Sequence, residues 1–172
     1  YAEGGGARMY LVVLSNCVFE GNSAGDRGGG AWCSSCNAYG CTMTNNISWD
    51  DGGGLYSEGS YSDFISCTVV DNSAADLGGG IFSTVGDFTN CRIINNSASI
   101  AGGGARVQFG EFLNCIISNN TSLGRGGGAW ATGSARFLHC HIACNSADTV
   151  GGGLSIDYKS YADRCCIVAN AA

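Results

Sequence analysis

Apolar and polar positions alternate in short runs along this chain, and the runs recur. In Cys91-Arg-Ile-Ile-Asn-Asn-Ser-Ala98 the cysteine and the residue two places on are apolar, while the residue between them varies from copy to copy. That is the period of a strand with one buried face. The inward companion of the cysteine is Phe19, Met43, Val69, Ile93, Ile117, Ile142 or Ile167. A Gly-Gly-Gly triplet follows and the alternation resumes behind it, so that Ala7, Ala31, Leu55, Ile81, Ala105, Ala129 and Leu154 are expected to point inward and the next residue outward. Each copy thus predicts two strands with a glycine corner between them.

The triplets begin at residues 4, 28, 52, 78, 102, 126 and 151. A cysteine stands 11 residues before each from the second onward, at Cys17, Cys41, Cys67, Cys91, Cys115 and Cys140, and Cys165 opens a last copy. Five residues after every one of these lies an asparagine: Asn22, Asn46, Asn72, Asn96, Asn120, Asn145 and Asn170. Between triplet and next cysteine the length varies from 13 to 15 residues, so insertions and a bulging loop belong to that half. Coils of 24 to 26 residues with glycine corners are too short for most paired-helix repeats. They predict an all-β chain, a single-stranded parallel β-helix of seven coils forming one domain over residues 1–172 without separate caps. Equivalent residues of such a solenoid stack about 4.8 Å apart. The asparagine column suits a left-handed turn and an amide ladder from coil to coil, the glycines suit a corner with positive φ, and Ala and Cys suit a narrow core.

Composition removes several alternatives. Hydrophobic residues make up 45% and charged residues 13%, which excludes disorder by self-repulsion despite 29 glycines and no proline. A net charge of −6 with eight scattered basic residues argues against nucleic acid as a partner. No stretch reaches the roughly 18 to 20 apolar residues of a membrane span. Eleven cysteines suit an oxidising compartment, and Asn46, Asn95, Asn119 and Asn120 head Asn-x-Ser/Thr sequons that are candidate glycan acceptors there. Both point to the extracellular space or the cell surface.

The segment Cys67-Thr-Val-Val-Asp-Asn-Ser-Ala-Ala-Asp-Leu-Gly-Gly-Gly-Ile-Phe82 resembles the Gly-Gly-Ala-Ile and Phe-x-x-Asn repeats of polymorphic outer-membrane proteins and the pectate-lyase-like repeats of secreted surface proteins. The resemblance covers the whole chain, with Gly-Gly-Gly-Ile or Gly-Gly-Gly-Ala and Phe-x-Asn or Phe-x-Ser in place of the family's forms. It implies a right-handed β-helix with a surface or adhesive role, and it carries over no catalytic motif.

Joined end to start, Asn170-Ala-Ala-Tyr-Ala-Glu-Gly-Gly-Gly continues the consensus in register, and the seven coil lengths sum to the 172 residues. A stack of coils without caps invites another copy, head to tail, and such a contact propagates. The expectation is therefore a structural extracellular protein and not an enzyme: an axial unit of a filament or cell-surface fibre, its partner a further copy of itself. The alternatives are a surface adhesin that binds glycans and, third, a polysaccharide lyase or hydrolase.

Three outward patterns could carry chemistry. Arg8, Trp32, Tyr56, Phe82, Arg106 and Trp130, followed by Ser155, form an aromatic and arginine stripe suited to lateral contacts or to glycan stacking, or else covered by a loop. Asp26, Asp50 and Asp76, with Asp51 beside them, form an acidic column that offers ligands to calcium, the one cofactor considered. A second column, Asp63, Asp87 and Glu111, is capped by Arg136. His139 and His141, flanking Cys140, are too few for a metal site, and Cys33-Ser-Ser-Cys36 is read as a local disulfide rather than a redox pair. The ladder cysteines fit equally well as disulfides or as buried thiols.

Overall fold

The computed structural model describes residues 2–172; Tyr1, part of the end-to-start join, lies outside them. The backbone winds as a parallel β-helix in which each coil contributes strands to a set of sheets running along the axis. In the fourth coil these strands are Ile81–Val85, Asp87–Thr89, Arg92–Ile94 and Ser97–Ala98. The first three sheets have seven strands each and the fourth has six. Every pairing is parallel and in register, as in Phe64 with Phe88, Val69 with Ile93 and Ile81 with Ala105.

Four strands per coil, not two, is the first departure from the sequence pattern. Left-handed residues divide the coil. One precedes each ladder cysteine, at Asn16, Gly40, Ser66, Asn90, Asn114, His139 and Arg164, and ends the second strand. Another stands four residues after the cysteine, at Gly21, Asn45, Asp71, Asn95, Asn119, Cys144 and Ala169, and ends the third. The asparagine column is therefore not itself the left-handed position that was expected of it. The residue ahead takes the positive φ, which turns the asparagine side chain inward.

The half between triplet and cysteine holds a complete inner column that the cysteine spacing hides: Leu14, Ala38, Phe64, Phe88, Phe112, Phe137 and Ala162, three residues before each ladder cysteine. The four phenylalanines are buried and stack with centroids 4.6 to 5.0 Å apart. Such contacts contribute about 0.5–1.5 kcal/mol per pair beyond the area they bury. Insertions are confined to the turn between first and second strands. Residues 59–62 fill it in the longest coil, where residues 35 and 36 suffice one coil earlier.

The glycine corner packs backbone on backbone. Gly78 has φ 65°, and a Cβ on Gly79 would collide with the carbonyl oxygens of Ser97 and Gly103. The triplet is thus fixed by contact between coils as well as by its own conformation.

Candidate functional site

The asparagine column is a continuous amide ladder. Asn46 donates from both its backbone N–H and its Nδ2 to Oδ1 of Asn72, each at 3.0 Å, and also from Nδ2 to the Phe19 carbonyl at 2.9 Å. The pattern repeats from Asn22 to Asn170. This settles two glycan candidates against the sequence reading. Asn46 and Asn120 have 0% exposure and their amides are spent in the ladder, so in the folded chain neither can be an acceptor. Asn95 and Asn119 occupy the left-handed turn position on adjacent coils and are exposed.

The ladder cysteines Cys17, Cys41, Cys67, Cys91, Cys115, Cys140 and Cys165 are free thiols, the inner five of them buried. From Cys67 onward they donate to carbonyls of the inner column that holds the phenylalanines, as Cys91 does to Phe64 at 3.2 Å and Cys115 to Phe88 at 3.2 Å. Burial pushes the Cys41 and Cys165 thiols up, away from the reactive thiolate. Cys33 and Cys36 are joined in a disulfide, as their spacing suggested. Cys144 and Cys166 are exposed.

The aromatic stripe lies on the outer side of the first sheet, yet its centre is closed to solvent. Trp32, Tyr56 and Phe82 are 3%, 4% and 7% exposed. Tyr56 and Phe82 stack at 4.8 Å, and Leu77 from the turn ahead of the triplet packs against the cluster. Arginines fill the remaining places. Arg8 lies 4.6 Å from the Trp32 ring, Arg27 lies 5.1 Å from Tyr56, and Arg106 stands between Phe82 at 4.9 Å and Trp130 at 5.3 Å. Lateral contacts and glycan stacking along the stripe are ruled out for these three rings, because their faces are already occupied. Burial pushes the Tyr56 hydroxyl up to about 12.

The acidic column does not gather into a cation site. Asp50 pairs with Arg27 at 3.4 Å. Asp51 is buried and accepts from the Leu77 N–H at 3.1 Å. Burial, reinforced by the neighbouring Asp50 charge, raises its carboxyl to about 6. Among the described residues no three His, Cys, Asp or Glu side chains are grouped to hold a metal ion, so Asp26, Asp50, Asp51 and Asp76 do not form the calcium cluster considered above. In the second column Asp63 pairs in register with Asp87, whose Oδ1 accepts from the Glu111 N–H at 2.8 Å, and Arg136 pairs with Glu111 at 3.3 Å. His139 occupies a left-handed turn, while His141 lies on the third sheet in register with Cys166.

A further feature that spacing could not reveal is a cavity of about 550 Å³ at the corner between first and second sheets, lined by Arg106, Gln108, Phe109, Thr132, Gly133 and Tyr158. It is assembled from the strand Ala105–Phe109 and from the turns of the next two coils, and turns are where the repeat lengths differ.

Comparison with known proteins finds a family model described as a right-handed beta helix region, matching residues 2–147. No curated protein sequence and no solved structure matches the chain. Among the described residues no helix is long and apolar enough to cross a membrane.

Proposed function

We propose that this chain, which belongs to the right-handed β-helix family, is a structural and non-catalytic element of the extracellular space or cell surface, an axial unit of a filament or fibre. The observation that carries this reading is the ladder. From Asn22 to Asn170 each coil holds the next through the same amide pair, so one more coil, supplied by a second copy of the chain, extends the rod with contacts it already uses. The inner surface is filled by alanine, cysteine, aliphatic side chains such as Ile93 and Ile117, and stacked phenylalanine. The Cys33–Cys36 disulfide and the exposed sequons Asn95 and Asn119 support the extracellular placement, as does the resemblance to repeats of secreted surface proteins.

Electron microscopy of the native protein, with light scattering over a concentration series, tests the reading. Straight rods one β-helix wide are expected, their lengths multiples of an axial unit of roughly 34 Å. A monomeric particle of constant length at high concentration overturns it.

A further inference from the structure

Five of the eight basic side chains are ion-paired among the described residues. Arg8 pairs with Glu3, Arg27 with Asp50, Arg125 with Asp157, Arg136 with Glu111 and Arg164 with Asp163. Arg106, more deeply set than these, has no carboxylate within ion-pair distance among the described residues, and its Nε and Nη1 are buried with no hydrogen-bond acceptor. The carboxylate whose charge reaches it, Asp51, accepts from the Leu77 N–H instead. The acid nearest Trp130, Asp157, is taken by the Trp130 indole at 2.9 Å and by Arg125. Burial disfavours the charged guanidinium, and a buried donor left unmade costs far more than a typical hydrogen bond contributes.

Those two nitrogens are closed to solvent, so the cavity meets the unneutralised charge of Arg106 through the remainder of its guanidinium. Arg106 is part of its wall, held between the Phe82 and Trp130 rings so that the guanidinium plane is fixed. Gln108 and Thr132 add an amide and a hydroxyl to the lining. At the mouth stand two rings that the fold does not cover, Phe109 at 43% and Tyr158 at 92% exposure. Tyr158 sits there in a left-handed backbone, φ 61°, an expensive place for a tyrosine whose ring packs on nothing. A volume of about 550 Å³ falls in the range of small-molecule sites, large enough for one or two rings and too small for a protein element.

We propose that this corner binds a ring-shaped organic carboxylate, its charge on Arg106 and its ring against Phe109 and Tyr158. A sugar acid and an aromatic acid share that chemistry, and the experiment separates them. Calorimetric titration of the full chain with glucuronate, benzoate and uncharged glucose is expected to show binding by at least one carboxylate, with glucose weaker by about tenfold or more. Whichever acid binds names the source of the ligand. Arg106→Gln is expected to weaken binding by about tenfold or more. Because that residue is wedged between two rings, Tyr158→Ala supplies a second variant on an exposed turn: it is expected to weaken binding several-fold with thermal unfolding unchanged. The proposal is overturned if neither acid binds at millimolar concentration, if glucose binds equally well, or if binding survives both substitutions.

Discussion

At the scale of the residue, burial of polar groups separates what the fold uses from what it tolerates. Each ladder asparagine spends its amide on two neighbours, whereas the Ser57 and Ser83 hydroxyls are buried with no partner. Replacing both serines by alanine removes that desolvation cost, and urea denaturation is expected to show a gain of about 1 kcal/mol or more. Asp51 gives a pH dependence. Its folded carboxyl titrates at about 6, above the roughly 3.9 of an unfolded chain, so the folded state binds the proton more tightly. The resulting stability is complete below about pH 4 and is lost as the pH rises through 6. Asp51→Asn keeps the oxygen that accepts from Leu77 and cannot ionise. Unfolding free energies from denaturation are expected to match wild type near pH 4 and to exceed it by about 1–2 kcal/mol near pH 7.5, after allowance for solvent screening. Neither effect was legible in the repeat: Ser57 and Ser83 share a column with Cys33 and Val107, and Asp51 shares one with Leu77 and Ala101, so residue type does not repeat along either. The sequon residues Asn46 and Asn120 misled for a related reason: a three-residue motif does not report that the same amide is the rung of a ladder.

At the scale of the element, the alternation around each cysteine and each triplet marked the third and first strands correctly, and the asparagine spacing marked the ladder. The second strand escaped because its column changes from Leu14 and Ala38 to the phenylalanines and back to Ala162, so no single residue type flags it. The stripe escaped for a physical reason: outward from the sheet is not outward to solvent when arginines of neighbouring coils lie across the rings. Phe88 stands between two stacked partners, at 4.8 and 4.6 Å. Phe88→Ala opens a cavity that the flanking coils cannot close, and a loss of about 3–5 kcal/mol is expected in chemical denaturation.

At the scale of the whole molecule, the two exposed sequons lie on one edge of the rod, one coil apart, and the two buried ones, Asn46 and Asn120, occupy the next position of the repeat, the ladder column. Expressed through a eukaryotic secretory pathway, the folded product is expected to carry glycan at Asn95 and Asn119 and none at Asn46 or Asn120 by glycopeptide mass mapping. The same regularity that buries the ladder fixes distance. Coils of 24 to 26 residues differ only in the turn that carries the extra residues, so an added residue changes the outline of the rod and leaves its pitch untouched. The molecule is in that sense a graduated ruler: groups mounted on its turns, whether a sugar at Asn119 or a cavity beside Tyr158, are separated along the axis by whole divisions of about 4.8 Å. Their spacing can be altered only by inserting or deleting an entire coil.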